Sequence, residues 1–462
     1  MSSSEDTRAG GRWAAYTRRM QRAWIGSCLI LLAGAVPPNH SETAVPASWS
    51  QWRGPLGTGA APAGNPPVRW SETENIAWKV ELPGKGLSSP IVRDGRIFIT
   101  TAIPFGEPLE TAEEHQDHGA HDNMSPDRRV RFVVLAYDTD DGSLAWRKTV
   151  RTAQPHEATH VTGSWASPSA VTDGERLYVS FGSHGIYALT LDGELLWEID
   201  LGDMQVRHAH GEGSSPALRG DTLVVNWDHQ GDSFLIALDT ATGKTRWKTM
   251  RDEITSWSSP LIVDVAGKPQ VVVAATRRVS GYDLATGRLI WECAGLSKNV
   301  VSTPVAGDGL VFISNSYDWQ MLLAIRLEGA RGDITDTGYV VWTRDRDTSY
   351  VPSPLLHDGR LYFLKHSHGF LTAVEAASGE TQFGPVRLGE VRNVFASPVA
   401  VADRIYIASR DGATLVARAA SEFEPLAMNE LDDSFSASPA IVGDALFLRG
   451  DRYLYKIERS QP

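Results

Sequence analysis

The stretch that decides the fold is IALDTATGKTRW, residues 236–247, in which an apolar run leads through a Thr-Gly turn to a lone tryptophan. Closely similar stretches end at Trp146, Trp197 and Trp291. In all four, a glycine stands four positions before the tryptophan, and glycine readily adopts the positive φ that a tight hairpin turn requires. The chain therefore repeats one structural unit, a hairpin whose second strand carries an indole.

A second signal divides the chain into eight units. A Ser-Pro or Thr-Pro pair ends at Pro90, Pro168, Pro216, Pro260, Pro304, Pro354, Pro398 and Pro439. After the first interval these prolines follow one another at about 41 to 50 residues, a period typical of solenoids and propellers. Each unit offers four short strands rich in β-branched and aromatic residues. The pattern predicts an all-β fold, an eight-bladed β-propeller of four-stranded antiparallel blades.

The two ends of the chain complement each other. The last unit offers only three strands and no tryptophan, whereas NIAWKVEL, residues 75–82, is an isolated tryptophan strand just before the first Ser-Pro pair. We therefore expect this N-terminal strand to pair into the last blade. Such closure removes the free edges that an open ring would expose.

Six tryptophans are interpreted as structural, because a repeated large indole suits the packing of one blade against the next. They are Trp78, Trp146, Trp197, Trp247, Trp291 and Trp342. The sixth unit uses Phe383 at this position, and the seventh has lost both the glycine and the tryptophan. Blade seven is therefore expected to be the least regular.

The remaining segments complete a predicted domain plan. Residues 1–35 contain a basic stretch followed by a short apolar run, which is typical of a secretory signal peptide, although an uncleaved N-terminal anchor is an alternative. Residues 36–48 read as a linker and residues 49–462 as the propeller. The long first interval predicts an insertion at about residues 103–130, between the second and third strands of blade one.

Charge and cysteine content exclude several classes of function. The net charge is −12 and no basic stripe is present, so a nucleic-acid partner is disfavoured. Without the leader, Cys293 is the one remaining cysteine, which leaves no internal disulfide and no cysteine metal site. We expect a monomer with no membrane span in the mature chain.

The repeats LDTATGKTRW, YDLATGRLIW and LDGELLW, with the serial SSP words, resemble the tryptophan-docking repeats of pyrroloquinoline-quinone-like (PQQ-like) propellers. The resemblance covers about residues 51–459, and WSQWRGPLGTG, residues 49–59, is similar to a BamB-like subgroup. One branch of this superfamily, the quinoprotein alcohol dehydrogenases, implies PQQ and calcium in the central channel, an aspartate base and a disulfide between adjacent cysteines. The other implies a noncatalytic ring that binds protein partners through its loop face. This chain lacks the cysteine pair, and no calcium-ligand set matches.

Loops that enter the innermost strands surround one mouth of a propeller channel. Aromatic and polar residues there are the default ligand hypothesis, and the candidates for ligand or partner contact are Trp165, Trp257, Tyr350, Phe395, Arg392, His156 and His160. The alternative interpretation is that the aromatic residues only plug the channel. The segment NWDHQGDSF, residues 226–234, is interpreted as a polar hairpin loop on the opposite side of the blade.

The insertion contains His115, His118 and His121 among acidic residues. Imidazole and carboxylate groups bind zinc or copper, so these histidines are candidate ligands, although histidines in a polar loop usually remain solvated. No catalytic residue is predicted, because no nucleophile elbow, phosphate-binding loop or dinucleotide fingerprint occurs. No cofactor is predicted either, with PQQ and calcium as the alternative.

Together these features predict an exported, noncatalytic binding or scaffold propeller of the cell envelope. It would engage a protein or small ligand at the aromatic mouth of the channel. Two alternatives remain: a PQQ-dependent dehydrogenase, and a glycan-binding propeller, because rings of tryptophan stack on sugars.

Overall fold

The computed structural model describes residues 48–109 and 121–459 of the 462-residue chain. The predicted signal peptide, all of the predicted linker except its last residue, and the candidate ligands His115 and His118 lie outside these residues. Within them, no helix is long and apolar enough to cross a membrane.

The first half of the described chain contains strands β1 (Ile76–Glu81), β2 (Ile91–Arg93), β3 (Arg96–Phe105), β4 (Asn123–Met124), β5 (Arg129–Asp138), β6 (Leu144–Ala153), β7 (Thr159–His160), β8 (Val171–Thr172), β9 (Arg176–Ser180), β10 (Ile186–Thr190), β11 (Leu195–Ile199), β12 (Ala217–Arg219), β13 (Thr222–Trp227), β14 (Phe234–Asp239), β15 (Thr245–Met250), β16 (Leu261–Val265), β17 (Lys268–Ala274), β18 (Val279–Asp283) and β19 (Leu289–Cys293). The second half contains β20 (Val305–Gly307), β21 (Leu310–Asn315), β22 (Met321–Arg326), β23 (Gly332–Asp333), β24 (Val340–Arg344), β25 (Leu355–His357), β26 (Arg360–Leu364), β27 (Phe370–Glu375), β28 (Thr381–Arg387), β29 (Val399–Val401), β30 (Arg404–Ala408), β31 (Ala413–Arg418), β32 (Pro425–Glu430), β33 (Ala440–Val442), β34 (Ala445–Arg449) and β35 (Tyr453–Ile457). Two single turns of 3₁₀-helix occur at Gly182–His184 and Arg207–Ala209.

These strands form the predicted eight blades. From the innermost strand outward, blades one to eight are β2-β3-β5-β6, β8-β9-β10-β11, β12-β13-β14-β15, β16-β17-β18-β19, β20-β21-β22-β24, β25-β26-β27-β28, β29-β30-β31-β32 and β33-β34-β35-β1. Blade four gains a short fifth strand, because β23 pairs in parallel with β19. A small separate ladder joins β4 to β7.

The ring closes as the sequence predicts. Strand β1 pairs antiparallel with β35, in a register that runs from Ile76 opposite Ile457 to Glu81 opposite Tyr453. The first strand of the propeller is thus the outermost strand of the last blade.

The core lies between neighbouring blades. Strand β13 is buried along its whole length, whereas in β15, the outermost strand of the same blade, only Trp247 is buried. Tyr178 of blade two and Leu223 of blade three belong to one buried apolar cluster. Burial between adjoining sheets explains why the second and third strands read as nearly continuous apolar runs.

A closed circle of hydrogen bonds links the innermost strands and explains the repeated Ser-Pro words. In each blade, the residue two positions before the innermost strand donates its backbone N–H to the side-chain hydroxyl of the corresponding residue in the next blade, over 2.8–3.1 Å. The eight members of this hydroxyl ring are Ser89, Ser169, Ser215, Ser259, Thr303, Ser353, Ser397 and Ser438. The last bond, from Ser438 back to Ser89, completes the circle.

Blade two enters this ring with a shifted register. Its ring member is Ser169, and Ala170 occupies the position that proline holds in the other blades, because β8 begins at Val171. The Ser167-Pro168 pair therefore lies two residues before the position that the Ser-Pro pair occupies in the other blades. Any prediction aligned on Pro168 is displaced by the same amount.

Five of the six interpreted tryptophans dock on the next blade in one manner. The indole Nε1 atoms of Trp78, Trp146, Trp197, Trp247 and Trp342 donate to main-chain carbonyls of the neighbouring blade's outer turn over 2.8–3.1 Å. Each indole covers that turn's glycine closely; at Gly243, for example, a Cβ atom would approach the Trp197 ring to 2.8 Å. The glycine thus provides both the turn geometry and the space for the indole.

Trp291 departs from this arrangement. It is fully buried, and its Nε1 donates to Oε1 of Gln270 within its own blade over 3.0 Å. In blade five the residues between β22 and β24 form a long connection that includes β23, instead of a tight glycine turn. Trp291 still shares a buried cluster with residues of blade five, such as Ile313.

Blade seven is not the least regular blade, contrary to expectation. Its four strands form one sheet with a single register shift between β31 and β32, whereas β27 and β28 of blade six contain two. The main-chain ladder is formed without the glycine and the indole. Phe423 of blade seven instead packs against Phe383 of blade six, with ring centroids 5.9 Å apart.

The segment before the propeller fills the channel beside the innermost strands, and we call residues 48–62 the plug. Trp49 exchanges two main-chain hydrogen bonds of 2.9 Å with Val92 in blade one. Ala60 forms a bridge with Ala400 in blade seven. The buried guanidinium of Arg53 donates to the carbonyls of Pro354 and Pro398 over 2.9–3.2 Å. The plug thereby ties blades that are far apart in the sequence to the channel centre.

Candidate functional site

A cavity of about 580 Å³ opens where the innermost strands begin, and we call it the cup. Its wall receives one residue from every blade, two positions before each member of the hydroxyl ring: Leu87, Ser167, Gly213, Trp257, Val301, Val351, Phe395 and Ser436. Trp52 of the plug also lines the cavity, and its Nε1 donates to the Ser438 hydroxyl over 3.3 Å. The plug and the hydroxyl ring therefore delimit the cup on the channel side.

The connections between second and third strands supply a second set of cup residues. The second strand of a blade runs antiparallel to the innermost one, so it ends at the mouth where the innermost strand begins. These connections contribute His121, Tyr317, His366, His368 and Arg410. The sequence interpretation named His121 only as a candidate metal ligand and missed the other four, although strand direction alone was a sufficient signal.

The same argument corrects the placement of residues 226–234. They were expected on the opposite side of the blade, but Asp228 accepts a hydrogen bond of 2.8 Å from Ser256 in the loop that enters blade four. Asp228 also forms a buried ion pair with Arg251 at 2.8 Å. This segment therefore supports the Trp257 loop from behind the cup.

Four of the seven predicted contact residues line the cup. They are Trp257, Tyr350, Phe395 and His160. The Trp257 indole is fixed by a hydrogen bond of 2.7 Å from Nε1 to the Gly211 carbonyl. Tyr350 lies against Tyr317 and His366, with ring centroids 5.5 and 4.8 Å away, and burial raises the pKa of its hydroxyl.

Trp165, His156 and Arg392 do not line the cup. Trp165 is displaced by the shifted register of blade two, so Ser167 takes its place in the wall. Trp165 and His156 instead line a small crevice nearby, where Trp165 donates to the Glu157 carbonyl over 3.0 Å and His156 bonds the Met204 carbonyl over 2.9 Å. Arg392 is exposed and paired with Glu390.

Histidines from three segments gather at one side of the rim. The His121 ring lies 5.1 Å from that of His210, which lies 4.8 Å from that of His160. Burial lowers the pKa of His210 to about 4 and also lowers that of His160, so both imidazoles are neutral at pH 7. No group of three or more metal-ligating side chains among the described residues has an arrangement that could hold a metal ion.

Arg410 is the fully charged side chain of the described cup lining. Its guanidinium lies 3.5 Å above the Phe395 ring, Nε donates to the Ser436 hydroxyl over 2.7 Å, and Nη2 donates to the Thr162 carbonyl over 3.2 Å. Burial lowers the pKa of Arg410 to about 10, which leaves it protonated at neutral pH. The described lining contains neither aspartate nor glutamate.

This donor set does not fit the calcium ion that a quinoprotein dehydrogenase requires. Calcium takes six to eight oxygen ligands, with carboxylates prominent among them. The cup lining offers hydroxyl and amide oxygens but no carboxylate. A carboxylate base facing the cavity is likewise missing from the described lining.

A carboxyl group with a raised pKa, that of Glu212, lies behind the cup wall. Burial raises the pKa of Glu212 to about 7, against the hydrogen bonds of 2.7 and 2.5 Å that it accepts from the backbone N–H and the hydroxyl of Ser183. Glu212 lines the crevices between blades two and three rather than the cup. Its bonds to Ser183 give it a structural role in joining these blades.

Comparison with solved structures reports on the fold. The quinohemoprotein alcohol dehydrogenase of Comamonas testosteroni matches 90% of this chain and 81% of its own, with a TM-score of 0.57 and 11% identity. BamB of Moraxella catarrhalis matches 79% of this chain and 99% of its own, with a TM-score of 0.49 and 15% identity. At 11% identity the likeness to the dehydrogenase concerns the propeller fold alone.

Comparison of sequences reports on the family. The outer membrane protein assembly factor BamB of Yersinia pestis is 22% identical over 305 residues, which cover 64% of this chain and 68% of that protein. A family model described as outer membrane protein assembly factor BamB matches residues 130–384, more than half of the chain. The resemblance carried by the tryptophan and Ser-Pro repeats is thereby confirmed, and the protein belongs to this BamB family of PQQ-like propellers.

Proposed function

We propose that this protein is a noncatalytic binding propeller of the cell envelope that receives a protein partner in the cup. The observation that carries the proposal is the cup itself, a cavity of about 580 Å³ lined by aromatic, aliphatic and neutral polar side chains and by one arginine. Cavities of this size and character are the usual sites of ligand binding. A pocket of 580 Å³ admits a loop or chain end of the partner, not a folded domain.

The polar groups of the cup support binding rather than catalysis. The hydroxyls of Ser89, Ser215 and Ser438 face the cavity, but each accepts a main-chain hydrogen bond of the ring. A nucleophilic hydroxyl needs an adjacent general base. These serines have instead a structural partner that holds the blades together.

Location in the cell envelope rests on two observations. The apolar run after a basic stretch in residues 1–35 is typical of an export signal. The relative in Yersinia pestis is named as an outer membrane protein assembly factor. We propose that this chain is exported, acts as a monomer and meets its partner in the envelope.

Site-specific photo-crosslinking in living bacteria tests the proposal. A photoreactive amino acid replaces Val301 in the cup or, as the matched control, Leu289, which is exposed on strand β19 of blade four and does not line the cup. We expect one envelope protein to be trapped from position 301 and not from position 289. Equal trapping from both positions, or trapping from 289 alone, contradicts a partner in the cup.

A blocked cup provides the second arm of that experiment. Gly213 has an ordinary backbone conformation, and a Cβ atom there meets Trp257 at 3.5 Å, so Gly213→Leu fills the cavity without backbone strain. Gly338→Leu is the control, because a Cβ atom at Gly338 meets nothing within 4 Å. Crosslinking from Val301 should be lost in the first variant and kept in the second.

A glycan in the same cup is a second candidate, favoured by the indoles of Trp52 and Trp257 in the lining. Aromatic faces present the apolar surface on which sugar rings stack. A glycan array should then show binding that Trp257→Ala abolishes and Trp165→Ala preserves, because Trp165 lies outside the cup. An array without binding removes this candidate and leaves the protein partner.

A further inference from the structure

The electrostatic character of the cup is opposite to that of the chain. The protein has 56 acidic and 44 basic residues, a net charge of −12. The described cup lining nevertheless contains one arginine and no carboxylate, and its histidines His160 and His210 are neutral at pH 7. An acid-free cavity with a fixed cation, on an acidic protein, favours an anionic ligand at that point.

Arg410 differs from the buried Arg449 in which nitrogen of its guanidinium lacks a protein partner. Arg449 directs Nη1 and Nη2 to the carbonyls of Ser88 and Thr100 over 3.0 and 2.9 Å, and the nitrogen left without a partner is its buried Nε. In Arg410 only Nε and Nη2 bond to the protein, and none of the described residues bonds its Nη1. No carboxylate of the described residues lies within salt-bridge distance of it; Asp451 attracts its charge from further away and does not line the cup. Because a desolvated charge is normally paired directly, the open Nη1 leaves a place for an anionic ligand.

The residues around Arg410 favour a ligand in which the anionic group is attached to an apolar group. Phe395 holds the guanidinium in place by stacking at 3.5 Å, and the aliphatic Leu87 and Val351 line the same cavity. An apolar group next to the anion would bury surface against these side chains. Asn299 and Asn393 line the cup as well and can bond main-chain amides.

We propose that the cup binds a carboxylate carried on an aromatic or large aliphatic group, with Arg410 as the anchor of the carboxylate. The C-terminus of a protein chain that ends in an apolar residue has this chemistry, and a small aromatic acid shares it. The inference rests on the proposed function, since it names the part of the partner that enters the cup. A planar guanidinium pairs with a carboxylate through two parallel hydrogen bonds, which makes the anchor specific.

Binding of matched peptides to the purified full-length protein tests the anchor. The probe is a fluorescent pentapeptide, Gly-Ala-Gly-Ala-Phe, with a free C-terminal carboxylate or with a C-terminal amide, and phenylacetate serves as the small acid. We expect the free acid to bind at least about tenfold more tightly than the amide, because a charge-assisted hydrogen bond is lost with the amide. Fluorescence anisotropy measures the affinities.

Two arginine variants assign the effect to one side chain. Arg410→Gln should weaken the free acid by about tenfold and leave the amide unchanged. Arg346→Gln is the matched control, since Arg346 is exposed in a loop entering blade six and does not line the cup. Arg410→Lys keeps the charge and should retain part of the preference, and urea unfolding verifies that all variants remain folded.

The outcomes separate this inference from the proposed function. Equal affinity for acid and amide, or an equal loss of both in Arg410→Gln, overturns the carboxylate anchor while the crosslinking from Val301 still stands. Competition by phenylacetate without binding of the peptide acid supports the anchor and assigns the ligand to small aromatic acids. If neither the peptide acid nor phenylacetate binds, the anchor is wrong, whatever the crosslinking shows.

Discussion

The plug and the cup occupy the same channel, and each contains an arginine without a salt-bridge partner among the described residues. Arg53 in the plug is buried, and its guanidinium donates to carbonyls of Thr58, Pro354 and Pro398. Arg410 in the cup is half-buried and leaves the terminal Nη1 without a partner among the described residues, whereas the nitrogen of Arg53 without a partner is the buried Nε. The difference teaches that segment 48–62 turns Arg53 into an internal structural contact, whereas Arg410 remains at the wall of an open cavity.

The largest expected difference separates the two arginines. Arg53→Leu leaves the carbonyls of Pro354 and Pro398 without their donor and should lower the free energy of unfolding by about 3 kcal/mol. Arg410→Leu removes one bond to a hydroxyl and one to a carbonyl at a half-exposed site, and should cost less than about 1 kcal/mol. Urea unfolding measures both. Similar losses in the two variants contradict the contrast between plug and cup.

Two glycines repeat the contrast with a smaller effect. Gly54 in the plug has φ +74°, and a Cβ atom there would lie 2.8 Å from the Trp49 ring, so Gly54→Ala should cost about 2 kcal/mol. Gly213 in the cup has neither constraint, and Gly213→Ala should leave stability unchanged. The midpoints of thermal unfolding report the pair, and a stable Gly54→Ala variant would show that the plug is loosely held.

pH should act on the cup side of the ring. His184 lies behind the blade-two wall against Phe132, ring centroids 4.2 Å apart, and burial lowers its pKa from 6.5 to about 3. The unfolded chain then binds a proton that the folded chain does not, so the stability from this group is present above pH 6.5 and is lost as the pH falls below it. Between pH 7.5 and 5.0 the wild type should lose about 1–2 kcal/mol more than His184→Gln.

Two carboxyl groups titrate with the opposite sign, which makes the variant comparison necessary. Burial raises the pKa of Glu212 and of Glu253 to about 7, so these groups stabilise the fold at low pH. Urea unfolding of the wild type and His184→Gln at both pH values cancels that contribution. Parallel losses in the two proteins would falsify the assignment to His184.

The hydroxyl ring lies between the plug and the cup. A substitution in it should change the free energy of unfolding least. Ser259→Ala leaves the buried N–H of Ser215 without its acceptor and should lower the free energy of unfolding by about 1 kcal/mol. Ser378→Ala, at an exposed turn, is the control and should change nothing. A loss of several kcal/mol from Ser259→Ala would instead indicate that the ring unfolds as one cooperative unit from any of its members.

The fold was predictable because each blade contains its own copy of two contacts. A serine hydroxyl bonds the next blade's main chain, and an indole covers the next blade's glycine, so short words such as those ending at Trp247 and Pro260 mark the architecture locally. Trp291 shows the limit of this reading. In the following blade a long connection replaces the glycine turn on which Trp291 would dock. The residues around Trp291 give no indication of that change.

The site was predictable only in part, for two physical reasons. In blade two the sequence Ser167-Pro168-Ser169 offers two serines, and the ring uses the second, which removes Trp165 from the cup. To place Arg410 in the cup, the direction of the second strands has to be considered. Antiparallel pairing fixes that direction, but the sequence interpretation did not use it. The role of Arg53 was out of reach, because the carbonyls of Pro354 and Pro398 come to it from more than 300 positions away.

The pairing of β1 with β35 has a consequence for how the molecule is made. The strand that leaves the ribosome first among the blades waits for Tyr453–Ile457, the strand that leaves among the last. Until those residues arrive, one edge of β34 and the whole of β1 lack their neighbour, and contacts across so many residues form slowly. The interval between synthesis and closure is therefore when this protein is most exposed to aggregation and to proteases. A chain shortened at Tyr453 would remain in that vulnerable state permanently.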